Sequence, residues 1–201
     1  VPPTRPARSR LIAALTGIVL GTVVLDQVTK AIAVLTLEGL PRTGPGPAVP
    51  VIGDLAGFTF YRNPGAAFGM GAGSTWIFSL FALVVLVVVI VLLRRLAHGG
   101  WALGLGLLLG GLLGNLIDRL VRPPGFLHGA VVDFIDLRLF ICNVADIAIT
   151  GAAITMIWLS IRGIGIDGSR EGERRERTAD DAGAGPAEGT GAGPAAKEGT
   201  T

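Results

Sequence analysis

Four apolar stretches divide the chain, each close to the thickness of a bilayer core. Residues of about 11–32, 76–93, 101–121 and 141–161 are dominated by Leu, Val, Ile, Ala and Gly, and about 20 such residues in an α-helix span ~30 Å of hydrocarbon. The pattern predicts four transmembrane helices. The second stretch is the plainest, a nearly unbroken run from Trp76 to Leu93 that stops at Arg94 and Arg95. The third contains GLGLLLGGLLG, whose small residues let membrane helices approach closely. Between the first and second stretches, residues of about 33–75 turn less hydrophobic and fill with Pro, Gly and short runs such as FTFYRN. Weak alternation followed by the turn signal of NPGAAFG predicts a small extramembrane sheet there. A second polar interval, 122–140, separates helices 3 and 4.

The expected fold is a membrane all-α domain over 11–162, with four transmembrane helices and a small extramembrane β-sheet between helices 1 and 2. Residues 1–10 form a short leading segment. Residues 163–201 hold almost no aliphatic side chain after Ile166, so that a disordered tail is expected.

Composition agrees with this reading. Half of the residues are hydrophobic, 16% are charged and the mean hydropathy is +0.63, which excludes an ordinary soluble domain. The net charge of +2 is carried by short arginine clusters rather than a continuous basic face, which argues against nucleic-acid binding. The clusters act instead as topology signals. Arg5, Arg8, Arg10, Arg94, Arg95 and Arg162 fall at one end of the expected bundle, whereas Arg42, Arg62, Arg119, Arg122 and Arg138 fall at the other with every acidic residue before the tail, Asp26, Glu38, Asp54, Asp118, Asp133, Asp136 and Asp146. Positive residues prefer the cytoplasmic side, so both termini are expected there and the acidic end is expected to face outward. The first apolar run is followed by no small-residue cleavage pattern, so it reads as a span rather than a removed signal.

The acidic end is where chemistry is expected. Asp26, Asp118, Asp133 and Asp146 come from helix ends and a loop that this topology draws together, and ionisable groups at a membrane surface are functional candidates by default. Two close carboxylates share a proton, one serving as base toward water and the other as acid toward a carbonyl. Spacing alone leaves open which two. Asp26 and Lys30 lie four residues apart on one helical face and can neutralise each other. His98 and His128 fall at opposite ends and no HExxH occurs, so no metal site is expected. A serine–lysine dyad would need Ser74 beside Lys30, and Cys142 reads as a buried, inert thiol. Two non-enzymatic readings compete: a small transporter using rim carboxylates for cations or protons, and an assembly protein whose polar rim binds a partner.

Five motifs together change this balance: DQVTK at Asp26–Lys30, NPGAAFG at Asn63–Gly69, GNLIDR at Gly114–Arg119, VVDF at Val131–Phe134 and NVAD at Asn143–Asp146. In this order on four spans, the chain closely resembles the lipoprotein signal peptidases, or signal peptidase II, from about Leu15 to Ile161. The resemblance implies a multi-pass aspartic endopeptidase of the bacterial cytoplasmic membrane that needs no metal or other cofactor. Its implied partners are membrane lipids and diacylglyceryl-modified prolipoproteins, which it would cut before the lipidated cysteine. It also implies that Asp133 and Asp146 are the catalytic dyad. Asn63, Asn115 and Asn143 would orient the carboxylates or the substrate backbone, Arg119 would steady the pocket, and Asp26 and Lys30 would brace it from span 1. Asp118 is expected to be held by ion pairing near Arg119, and Asp133 to lie in a re-entering loop. Pro64, Cys142 and the long RPPGFLHGA loop depart from the usual family pattern.

Overall fold

A computed structural model describes residues 8–42, 44, 46–65 and 75–170. The chain forms α1 (Arg8–Leu37), β1 (Val49–Ile52), β2 (Ala56–Asn63), α2 (Thr75–Leu92) continued by a 3-10 turn at Leu93–Arg95, α3 (Gly99–Val121), β3 (Val131–Asp136), β4 (Ile141–Cys142) and α4 (Val144–Ile161). All four helices are long and apolar enough to cross a membrane. Their outward faces carry exposed Leu20, Val24, Phe81, Val88, Ile154 and Trp158, which in a bilayer meet lipid rather than water. The chain is a multi-pass membrane protein.

The third helix is the most enclosed of the four, and its glycines explain why. A Cβ at Gly110 would come within 2.6 Å of Thr22 on α1, and one at Gly111 within 2.6 Å of the Ala145 carbonyl oxygen on α4. Packing without a hydrophobic driving force depends on such close backbone approach. The stripe therefore clamps α3 between α1 and α4. Toward the end holding the chain's start, Leu11, Leu15, Val89, Leu96, Leu105 and Leu109 form the apolar core.

The sheet is larger than the sequence suggested. It has four antiparallel strands in the order β1-β2-β3-β4; two come from between α1 and α2, and two from between α3 and α4. Its buried Val132 and Phe134 pack on Ala33, with Val34, Leu37 and Phe60 beside them. Helix α1 thus runs 30 residues, about 45 Å at 1.5 Å per residue, because its last turns support the sheet after the span itself is complete. Asp133 lies within β3, flanked by β2 and β4, rather than in a re-entering loop. The run of Val, Phe and Ile around it suits a pleated surface buried on both faces.

Two boundaries also differ. Ile141 and Cys142 pair with β3 instead of opening the fourth helix, and the helix begins after Asn143. At the other end, residues 163–170, read as the start of a disordered tail, fold back on the α2–α3 turn. The Ala97 N–H donates to the Ile166 carbonyl at 2.9 Å, and Trp101 Nε1 donates to the Ile164 carbonyl at 2.9 Å. Arg5, Ser74, the second half of NPGAAFG and residues 171–201 lie outside the described residues.

Candidate active site

At the sheet end of the bundle, the C-terminal halves of α1 and α3, the start of α4 and strand β3 converge. Asn143 is the hinge of this arrangement. It is the N-cap of α4, and its side-chain oxygen accepts from the Asp146 N–H at 3.0 Å while the Asp146 carboxylate accepts from the Asn143 N–H at 3.1 Å. This reciprocal capping box satisfies two donors that a helix start leaves unpaired. With its oxygen so engaged, the Asn143 amide nitrogen faces away and donates to Asp133 Oδ1 at 2.6 Å and to Asn115 Oδ1 at 3.2 Å. One residue therefore bonds both Asp133 and Asp146.

The remaining carboxylate oxygens are also met. Asn63, two residues past the position paired with Asp133 across β2 and β3, sits on the same face of the sheet. Its amide donates to Asp133 Oδ2 at 2.8 Å, and its own oxygen accepts from Gly65 N–H. Asn115 on α3 donates to Asp146 Oδ1 at 2.9 Å. Asp133 is 1% exposed. Burial raises its carboxyl to about 6, with the Asp146 charge raising it further and the Asn63 and Asn143 hydrogen bonds acting the other way. Among the described residues, neither Asp133 nor Asp146 has a salt-bridge partner.

The other two aspartates form a separate cluster. Lys30 is wholly buried, and its ammonium contacts Asp26 Oδ2 at 2.9 Å, Asp118 Oδ2 at 2.8 Å and Asn115 Oδ1 at 2.9 Å. Asp118 also holds Arg122 at 2.6 Å and accepts from the Val132 N–H. The expected pairing of Asp118 near Arg119 is replaced by pairing with Lys30 and Arg122. Adjacent helical residues diverge in direction, whereas residues four apart share a face. Asp26 in turn accepts from the Ala145 N–H at 2.9 Å, tying α1 to the start of α4.

Arg119 reaches only the Asn115 carbonyl, at 3.4 Å, and its buried Nε has no hydrogen-bond partner among the described residues. Its charge is felt by Asp146 and Asp133 as well as Asp118. Thus Asp26, Lys30, Asn63, Asn115, Asp118, Arg119, Asp133, Asn143 and Asp146 all converge on this region in two linked clusters.

Two supporting residues went unread in the sequence. Gln27 donates to Asp26 Oδ2 and to the Gly114 carbonyl, both at 3.1 Å, and Arg122 locks Asp118. Arg122 was detectable as the i+4 partner of Asp118, as Lys30 was for Asp26. His128 is exposed in the loop after α3, and His98 caps the start of α3 at the opposite end. The Cys142 thiol is buried, and desolvation pushes it up to about 11, with the charges of Asp146 and Asp133 adding to the effect. Among the described residues, no group of three His, Cys, Asp or Glu could hold a metal ion.

Chemically, the arrangement offers two carboxylates that form no ion pair among the described residues, each held by neutral amide donors, beside a second pair whose charges are spent on Lys30 and Arg122. Comparison with known proteins agrees with the architecture. The family described as "Signal peptidase (SPase) II" matches residues 18–162. A lipoprotein signal peptidase of Leifsonia xyli is 47% identical over 149 residues, covering 73% of this chain and 66% of that one. One of Mycobacterium tuberculosis is 43% identical over 166 residues, covering 82% and 79%. A solved bacterial membrane enzyme superposes with a TM-score of 0.63 at 30% identity, covering 75% of this chain and 94% of that one. The chain belongs to the signal peptidase II family of membrane peptidases.

Proposed function

We propose that this protein removes signal peptides from diacylglyceryl-modified prolipoproteins, cutting before the lipidated cysteine with Asp133 and Asp146 as a water-activating dyad. The observation that carries this reading is Asn143, whose amide and backbone N–H hold the two carboxylates together. Family membership and the named relatives support the substrate class.

Burial favours the protonated form of Asp133, which suits it as the acid. Asp146 stands in the first turn of α4, where the helix dipole favours a negative side chain, and serves as the base. Asp146 takes a proton from water as the water oxygen attacks the carbonyl carbon preceding the cysteine. Asp133 gives its proton to the carbonyl oxygen, yielding a gem-diol. Collapse then breaks the C–N bond as Asp146 passes its proton to the cysteine nitrogen and Asp133 takes one back from a gem-diol hydroxyl, leaving a carboxyl on the signal peptide and a free amine on the lipidated cysteine. Shared-proton chemistry of this kind suits carboxylates that are in no direct ion pair, which distinguishes Asp133 from Asp118, bridged to Lys30 and Arg122.

The same end of the bundle suits an amphiphilic substrate. The sheet offers backbone and polar side chains to the peptide, while acyl chains remain in lipid. By the arginine distribution, this end faces outward from the bacterial cytoplasmic membrane and both termini lie in the cytoplasm.

The test is cleavage by the purified protein of a diacylglyceryl-modified prolipoprotein and its unmodified precursor, with the new N-terminus read by mass spectrometry. The expected product begins at the lipidated cysteine, only the modified substrate is cut efficiently, and a chelator leaves the rate unchanged. An intact modified substrate in the presence of folded protein and lipid would refute the assignment.

A further inference from the structure

The Lys30 cluster touches neither Asp133 nor Asp146 by ion pair, yet it meets the dyad through one side chain. The Lys30 ammonium has three N–H groups and no acceptor, and all three are engaged: two by Asp26 and Asp118, and one by Asn115 Oδ1. The two carboxylates hold the lysine at a fixed point. An amide nitrogen facing that point would set donor against donor, so Asn115 must turn its oxygen toward Lys30 and its nitrogen toward Asp146. The same oxygen accepts from Asn143 Nδ2, which ties the second amide into the same sense.

Resting on the dyad reading above, we propose that Lys30 is a positioning residue that fixes the orientation of Asn115, so that a donor always faces Asp146. It touches no reacting atom; its charge also favours the ionised form of Asp133 through space, and the double variant below separates that effect from the one carried by Asn115. Without that donor, the ionised dyad loses a charge-assisted hydrogen bond, and ionisation of the pair requires a higher pH. The charged or titratable groups around the pair are Lys30 and Asp26 on α1, Asp118 and Arg119 on α3, Arg122 just after it, Cys142 on β4 and Tyr61 on β2. The variants that test the role of Lys30 change only Lys30, Asn115 or both.

The experiment compares Lys30→Met, Asn115→Leu and the double variant with the parent, over a pH series and with kcat and KM separated. Asp146→Asn is run alongside. Lys30→Met is expected to lower kcat by about tenfold to a hundredfold, the scale of one charge-assisted hydrogen bond, with KM little changed. The acidic limb of its rate profile should move to higher pH. Once Lys30 is gone, Asn115→Leu should cost far less than it does alone, because both changes remove one donor. Additive losses would overturn the proposal, because a lysine that acts only by packing or by its charge on Asp133 shares no effect with Asn115.

If Lys30→Met does not fold, Asn115→Leu decides. It offers Asp146 no donor and adds no charge, so the acidic limb must still rise; an unmoved limb is contrary to the proposal. If Asp146→Asn retains full activity, it is the dyad reading that fails rather than the role of Lys30 alone.

Discussion

Asn143 places its amide nitrogen 2.6 Å from Asp133 Oδ1 on a strand, while the same residue caps the helix that carries Asp146. Secondary-structure formation and site assembly are therefore one event. The helix cannot start correctly without Asn143, and the carboxylates cannot meet unless it does. Replacing Asn143 with Ala removes the cap and the donor to Asp133 together. The expected stability loss is about 1–3 kcal/mol, combining a lost cap with an unpaired buried acceptor, and activity should fall at least tenfold. Thermal unfolding in detergent and cleavage rates read the two effects on one preparation.

The buried carboxyl of Asp133 makes stability depend on pH in a definite direction. Its folded value of about 6 lies above the ordinary 3.8. Between these values the folded protein keeps a proton that the unfolded chain has lost, so the group's contribution is fully present below about pH 4 and is lost as pH rises through 6. The expected size is about 3 kcal/mol, from roughly two pK units at 1.36 kcal/mol each. Relative to the parent, Asp133→Asn should therefore gain about this much stability between pH 4 and pH 8. Paired denaturation curves at the two values check the sign, and a gap that does not change with pH contradicts it.

Asp118 is spent on structure. It is fully buried between Lys30 and Arg122, and removing one partner of a buried pair leaves an uncompensated charge. Asp118→Asn is expected to destabilise the protein by about 3 kcal/mol while retaining measurable cleavage by the molecules that stay folded. Activity normalised to the folded fraction separates these two effects.

The close approach of α3 and α4 is equally testable. A Cβ at Gly111 would lie 2.6 Å from the Ala145 carbonyl oxygen, which is backbone and cannot swing aside. Gly111→Ala should therefore part the two helices and draw Asp146 away from Asn115. Overpacking of this kind costs about 1–3 kcal/mol, and here it should depress cleavage as well. Gly21→Ala, on a surface where a Cβ meets nothing within 4 Å, should leave both unchanged.

The four helices were legible because each is an apolar run of membrane length, and the ends of α2, the least interrupted, and of α3 fall within two residues of the expected bounds. The sheet was legible only in its first half. FTFYRN alternates in the manner of a strand, but VVDFID is apolar on both faces and two charged residues interrupt it, so periodicity did not mark it as a strand. The fourth helix was begun too early because Ile141 and Cys142 are as apolar as the helix itself, and the N-cap preference of Asn143 outweighs hydropathy there. Within the site, the i+4 spacing of Asp26 and Lys30 foretold their contact. The same rule applied to Asp118 would have chosen Arg122 over the adjacent Arg119. The choice between Asp118 and Asp133 was beyond spacing, because it depends on which carboxylate Lys30 reaches across from another helix.

The most direct measurement of the central claim is the rate at which Asp133→Asn, Asp146→Asn and the parent cut a diacylglyceryl-modified prolipoprotein under identical lipid conditions, each variant first shown to be folded. Loss of cleavage in both variants, with Asp118→Asn still active per folded molecule, is the predicted result. Continued cutting by folded Asp133→Asn or Asp146→Asn would contradict the dyad and move the chemistry to another carboxylate.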